Sequence, residues 1–474
     1  MQAWIAAELE NADLGDRRLN ARFGILLDRL SQRPNLSIPA ACEGWAETEA
    51  AYRFFNNENV EPSKLLAPHR EATLQRAAQQ PVVLVVQDTT EVQLTRKQEK
   101  VVGPLTDENR YGLYVHPCLV LTPERIPLGL LGAKLWARDP EDFHKRLQRR
   151  YKPIEAKESY RWLQGYRQAC ELAARCPDTQ VVNVSDSEAD VYECFAEAAA
   201  DSGPPKADWI VRACRDRRLR DPAGEKLYAA VAQTNVLKRL TIRVSAREAL
   251  SGDASRRRTA RSAREATVTV QAASVTLKAP HRLTGAKLPD LKVQAVLVRE
   301  EEPPAGEAPI EWLLLTSLPI DTVADVEQIV AFYGCRWEIE VYFRVLKSGC
   351  RIEQRQLETT RRMMACITLY LIVAWRVLFV LMLGRRSPEL PCEAVLGPDE
   401  WRAVYTIAKR QPPPETIPTL GEMIPLIASL GGYLGREHDG PPGPKAMWIG
   451  IGRMRDFALA WNIFGPKPPS AICV

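Results

Sequence analysis

Apolar positions recur along this chain with two different periods, and the switch between them divides it. Residues 1 to about 68 read as helices broken at SQRPNLSIP (Ser31–Pro39), followed by GWAETEAAYRFFNN, a helix-like run with an aromatic end. PVVLVVQDTTEV is then a short β-branched apolar run, predicted as a buried strand with Asp88 at its C-terminal end. YGLYVHPCLVLT and IPLGLLGAKLWARD predict two strands of a hairpin turned at PER. HKRLQRRYK (144–152) and SYRWLQGYRQACELAARC (159–176) read as helices. TQVVNVSDSEADVYECF repeats the first design: a buried strand, Asp186 just past it, then a helix start with Glu188 and Asp190. From about 204 to 319 the texture is β, with strands at ADWIVRACRD, LTIRVSA, ATVTVQAASVTL, LKVQAVLVREE and IEWLLLTSLPI. The rest is helical around the Pro-rich linker RQPPPETIP (Arg410–Pro418), and no internal repeat is found.

YGCRWEIEVYFRVLK (333–347) follows the β region at once. On a helix at about 100° per residue, with Tyr333 at zero, Arg336 falls near 300°, Glu340 near 340° and Lys347 near 320°, a stripe roughly 60° wide. Trp337, Ile339, Val341, Tyr342, Phe343, Val345 and Leu346 occupy the remaining circumference. An ordinary ion-pair edge is the simpler reading of a charged stripe. The apolar surround disfavours it, because a helix apolar nearly all round is buried and its charges need partners.

Composition narrows the class. The chain has 474 residues and 46% hydrophobic content, enough for a large core and two to four domains. A net charge of +5 means that a polyanion is held by local patches. Eleven scattered cysteines without a C-x-x-C pair read as reduced thiols in a cytoplasmic protein, and the five histidines form no zinc signature. MQAWIAAELENADLGDRR lacks the apolar core of a secretory signal. ITLYLIVAWRVLFVLMLG (Ile367–Gly384) has the length of a membrane span but carries Arg376 at its middle, so a buried core helix or a partner-facing helix is expected.

The candidate chemistry lies in carboxylates. If the strands ending at Asp88 and Asp186 are neighbours in one sheet, the two side chains meet at one sheet edge, and Glu340 adds a third. Three carboxylates without histidine or thiolate are hard oxygen ligands, suited to Mg²⁺ or Mn²⁺. Two such ions can clamp the attacking and leaving oxygens of a phosphodiester displacement. Beside them, Tyr333, Arg336 and Lys347 suit phosphate contact. Strand-end aspartates alone say little, since Asp is common where strands give way to turns.

Tyr333, Arg336, Glu340 and Lys347 fit Y-x2-R-x3-E-x6-K, and through it the chain resembles a group of bacterial insertion-sequence transposases with an Asp-Asp-Glu site. LGDRR and AYRFFNNENV are similar to the group's end-binding domain, and ASLGGYL to its C-terminal region. DTT at Asp88, KES at Lys157–Ser159, SDSEAD at Asp186 and PPAGEAPIEWLLLTSLP look like its catalytic segments. The resemblance implies an α/β chain in three parts. These are a helical DNA-end-binding domain (1–68), an RNase H-like catalytic domain (69–390, with a β-rich insertion at about 204–319) and a C-terminal helical dimerisation region (391–474). Asp88, Asp186 and Glu340 would bind two Mg²⁺, with Mn²⁺ able to substitute. Tyr333, Arg336, Lys347 and Arg212 would contact DNA phosphates. Trp312 would stack a base flipped out during hairpin formation, where otherwise it is an ordinary strand core residue. A homodimer would pair two transposon ends, cut them through a hairpin intermediate and join the 3′ ends to target DNA, in a bacterial cytoplasm and nucleoid-associated when bound to DNA. Glu188 and Asp190 are expected to support the site or face solvent. The basic runs Arg215–Arg220 and Arg256–Arg264 either track phosphate or are solvated loops. Other readings are a catalytically weak or silent DNA-end-binding relative that regulates transposition, a different RNase H-like nuclease, and a membrane-anchored protein.

Overall fold

The computed structural model describes residues 2–94, 102–107, 109–143, 152–200, 205–221, 224–244, 261–281 and 287–466. HKRLQRRYK, except Lys152, and residues 256–260 of the second basic run lie outside the described residues. The chain divides into two compact units, one of residues 1–83, 88–146 and 337–474, the other of residues 84–87 and 147–336.

The first unit begins with five helices: α1 (Ala3–Glu8), α2 (Arg17–Gln32), α3 (Ile38–Cys42), α4 (Trp45–Asn56) and α5 (Pro62–Ala77). The Asp16 side chain caps α2 by accepting from the Arg18 N–H, and Ser37 caps α3. Helix α5 runs on through Pro68, so the sequence boundary at 68/69 falls inside a helix. Beyond β1 (Val82–Gln87), which passes into the second unit, come β2 (Thr90–Gln93), β3 (Gly103–Pro104), β4 (Tyr111–Leu121), β5 (Pro127–Trp136) and the single turn α6 (Pro140–Phe143). β4 and β5 form the expected antiparallel hairpin, from Tyr114 opposite Trp136 to Leu121 opposite Pro127. Ten of the eleven β4 residues are buried, which explains its unbroken apolar run.

The second unit contains α7 (Tyr160–Arg175), β6 (Gln180–Ser185), α8 (Tyr192–Ala198), β7 (Asp208–Arg212), α9 (Leu227–Ala232), β8 (Lys238–Val244), β9 (Arg264–Leu277), β10 (Leu291–Glu300), β11 (Glu311–Thr316) and α10 (Val323–Gly334). Its strands lie in the order β1-β6-β7-β11-β10-β9-β8. β6 and β7 are parallel, while β7–β11, β11–β10, β10–β9 and β9–β8 are antiparallel. The β texture read from the sequence is thus the antiparallel part of a mixed sheet. Gly165 of α7 lets that helix sit against the end of β1, where a Cβ would stand 2.1 Å from the Gln87 Oε1. Gln87 in turn donates to the Asn183 side chain of β6 at 2.5 Å.

The remaining helices belong to the first unit: α11 (Glu338–Arg344), α12 (Thr360–Arg386), α13 (Pro398–Lys409), α14 (Leu420–Leu430) and α15 (Pro444–Phe464). α12 carries the apolar run that is long enough to span a membrane. In its most apolar 18-residue stretch 83% is buried within the protein, as expected of a core helix. The Pro-rich linker joins α13 to α14.

Candidate active site

The second unit gathers five of the expected site residues. Asp186 is the first residue past β6, and its carboxylate caps a short 3-10 turn (Ser187–Ala189) by accepting from the Glu188 N–H at 2.9 Å. Arg212 is the last residue of β7, opposite Leu314 of β11. Its guanidinium donates to the Ser187 hydroxyl at 3.2 Å, which holds it beside the Asp186 turn. Trp312 lies two residues before Leu314, on the same face of β11. It packs partly buried against Val244, Ala266 and Ile310. Its ring meets the Tyr333 ring edge to face, with centroids 5.2 Å apart. Tyr333, near the end of α10, is 1% exposed, and Arg336 in the following turn is 4% exposed. Burial pushes the Tyr333 phenol up, against the Arg212 and Arg336 guanidiniums, and the Asp186 carboxylate adds to the rise. Asp186, Arg212, Trp312, Tyr333 and Arg336 therefore form one cluster.

The other three residues belong to the first unit. Asp88 follows β1 directly, is half-buried, and accepts from the Thr89 N–H at 2.7 Å. The Thr89 hydroxyl is hydrogen-bonded to the His116 ring at 2.9 Å. Glu340 is exposed on α11. Lys347 is half-buried, and burial pushes its ammonium down while Glu353 and Glu91 oppose the fall.

The single-helix wheel drawn for Tyr333–Lys347 does not hold. α10 ends at Gly334, a 3-10 turn covers Cys335–Trp337, α11 covers Glu338–Arg344, and a π-helical turn covers Val345–Gly349. Each change of helix type alters the rotation per residue, so a uniform 100° step does not describe this run. The polar residues sit where the chain changes its winding, and Tyr333 and Arg336 are buried.

The strand expectation fares better, since β1 and β6 are neighbours and each is followed at once by its aspartate. The three carboxylates offer the oxygen-only donor set that a hard divalent cation prefers. Among the described residues, no three His, Cys, Asp or Glu side chains are already grouped as ligands of one ion.

Sequence reading did not single out Ser187, and it took Arg217 only as part of the basic run Arg215–Arg220. Asp190 does not face solvent: it is 3% exposed and ion-paired to Arg217. Glu188 is exposed and pairs with Arg161 at 2.6 Å. The run Arg215–Arg220 is therefore partly structural, since Arg217 is buried and Arg220 pairs with Asp290 at 2.6 Å. Arg264, at the end of the second basic run, pairs with Glu300 and Glu307. In the N-terminal helices Arg17 and Arg18 are exposed, Arg53 is 71% exposed, and Arg22 is tied to Glu47 at 2.5 Å. α15 leaves Leu459, Ile463 and Phe464 exposed.

Three family models match the chain in sequence order. Residues 1–60 match a transposase DNA-binding domain, 166–376 a transposase DDE domain, and 372–460 a Tn5 transposase dimerisation domain. The chain also aligns with a piggyBac transposase, solved by cryo-electron microscopy as a synaptic complex with hairpin DNA. Identity is 10%, 89% of this chain and 83% of that chain are covered, and the TM-score of 0.32 is too low to carry an argument. The three domains define a DNA transposase of the DDE class, a class that uses divalent metal ions, with DNA and a second copy of the chain as partners. Its domain set is that of a Tn5-like transposase.

Proposed function

We propose that this chain is a bacterial cut-and-paste transposase of the Tyr-Arg-Glu-Lys signature group. It binds the terminal repeats of its transposon, cuts them through a hairpin intermediate and joins the 3′ ends to target DNA. It works in the cytoplasm, on the nucleoid. Asp88, Asp186 and Glu340 are the proposed ligands of two Mg²⁺, replaceable by Mn²⁺. Such ions supply charge neutralisation at the attacking and leaving oxygens of a phosphodiester displacement.

The chain's own side chains do the rest. Arg212 and Lys347 hold phosphate oxygens as charged donors. Tyr333 and Arg336 are the remaining proposed phosphate contacts. Trp312 receives the extruded base on its partly exposed ring. The observation that carries this reading is the cluster of Asp186, Arg212, Trp312 and Tyr333 in the second unit. It sets a carboxylate, a cation and an aromatic face side by side, as cleavage of a DNA strand with base extrusion requires.

The test is a Mg²⁺-dependent cleavage assay on linear DNA carrying the ends found beside the gene. Wild type, Asp186→Ala and Glu340→Ala are compared. Hairpin-ended product from wild type alone, with end binding kept in all three, is expected. Trp312→Ala is expected to slow hairpin formation more than first-strand nicking, and equal slowing removes the stacking role. Intact end binding by a wild type that cuts nothing replaces the reading with a DNA-binding regulator.

A further inference from the structure

Asp190 makes more contacts than a neighbour of a catalytic residue needs. One carboxylate oxygen accepts from the Cys214 and Arg215 backbone N–H groups, each at 3.0 Å. The other pairs with the Arg217 guanidinium, which also donates to the Asp190 carbonyl at 3.1 Å. The Asp190 side chain is fully buried, and the Arg217 guanidinium lies 5.4 Å from the Tyr192 ring centroid and 5.7 Å from that of Phe195. One residue thus fastens the end of the Asp186–Asp190 turn to Cys214, Arg215 and Arg217, in the segment that leaves β7.

The two ends so fastened are those on which Asp186 and Arg212 sit. Arg212 stands two residues before Cys214, and Asp186 four before Asp190. A carboxylate accepting two backbone N–H groups and an arginine fixes that loop far better than a neutral side chain could. The Arg212 side chain itself reaches the turn through the Ser187 hydroxyl, a neutral acceptor at 3.2 Å. The pairing of Ser185 with Val211 sets Asp186 and Arg212 side by side, and the clamp holds the segment just past Arg212 to the turn that carries Ser187.

We propose that Asp190, with Arg217, is a positioning residue for strand cleavage, acting through Arg212 and making no contact with DNA itself. This rests on the transposase reading above and adds to it the device that aligns the phosphate-holding arginine with the catalytic carboxylate.

The experiment is a double-mutant cycle on the full chain. First-strand nicking and end binding are measured for wild type, Asp190→Asn, Arg212→Ala and the double variant. Asp190→Asn is expected to nick about 10-fold to 100-fold more slowly with end binding within about twofold of wild type, as misplacement of a positioned group does. The double variant is expected to be no slower than Arg212→Ala alone, because both changes remove one function. Multiplying rate losses, or a wild-type rate for Asp190→Asn, overturns the proposal. Should Asp190→Asn not fold, Arg217→Lys serves, since it keeps the charge but loses the fork. A loss of about threefold or more that does not multiply with Arg212→Ala is then expected, and multiplying losses or an unchanged rate overturns the idea. If wild type cuts nothing, the transposase reading falls by itself. Amide hydrogen exchange then decides the clamp: faster exchange at Cys214 and Arg215 in Asp190→Asn supports it, and unchanged exchange overturns it.

Discussion

Two apolar helical runs of this chain carry charges, and they treat them in opposite ways. α12 is one unbroken helix of 27 residues. Its mid-helix charge, Arg376, donates to the Val395 carbonyl at 2.7 Å and stacks over the Trp4 and Phe379 rings at 5.1 and 5.6 Å. The run from α10 to the π turn has a similar apolar content, yet it changes winding three times between Val323 and Gly349. Its charged residues are distributed among those changes, with Arg336 buried, Lys347 half-buried and Glu340 exposed. A regular helix gives a charge one fixed direction, and a structural partner must come to it. A helix that shifts between 3-10, α and π winding can aim side chains individually, and such irregular turns recur at functional sites. Arg376 thus ends in a carbonyl and two rings, whereas the charges of the other run range from buried Arg336 to exposed Glu340.

Substitutions at four positions test this contrast, in falling order of effect. Glu340→Ala should lower cleavage by about 10⁴-fold or more while leaving stability within about 0.5 kcal/mol, since the side chain is exposed. Arg376→Met, measured in the same assays, should leave cleavage within a few-fold. Equal losses from the two would erase the distinction.

Next is stability. Arg376→Ala should cost about 2–3 kcal/mol in urea unfolding, because the Val395 carbonyl and two rings lose their partner. Arg376→Met fills the same space and should cost less than about 1 kcal/mol. If methionine is as damaging as alanine, the charge itself matters in α12.

The third change concerns pH. Burial lowers the Lys347 ammonium below the usual lysine value of 10.5. Its charge is therefore lost at a lower pH than an ordinary lysine's, and with the proposed phosphate contact nicking should fall on the alkaline side before that value. Lys347→Arg should move that limb upward in a pH–rate profile, and an unmoved limb removes Lys347 from it. In the window between the lowered folded value and the unfolded one, the unfolded chain holds more protons, so this group's contribution to stability rises with pH.

The smallest effect belongs to Gly349, where the π turn ends. A Cβ there would meet the Trp448 ring at 3.0–3.3 Å, so Gly349→Ala should destabilise by about 1 kcal/mol or less in thermal unfolding. Stabilisation would mean that the ring yields and the close approach constrains nothing.

Much of the fold was legible for simple reasons. β1, β4, β6, β7 and β11 bury runs of β-branched and aliphatic residues that admit little else, and PER between two such runs makes a hairpin. α12 was readable as a core helix because lipid tolerates a central arginine poorly, whereas a carbonyl and two rings inside a protein satisfy it. The residues proposed for the site come from the Y-x2-R-x3-E-x6-K resemblance and the two strand-end aspartates. Their surroundings were not. Nothing in SDSEAD distinguishes an aspartate that caps an open turn from one fully buried against Arg217. In RACRDRRLRD, buried Arg217 looks the same as exposed Arg215 and Arg218.

The sequence by itself determined the strands, the core helix and the order of the three transposase domains, because each depends on residues close together in the chain. Only the tertiary structure decided which charges are buried with their partners and which reach the surface. That choice depends on a partner brought from 19 residues away for Arg376 and 27 for Asp190. It also decided that the signature run is wound three ways, because its neighbours in space set that winding and no periodic pattern encodes them.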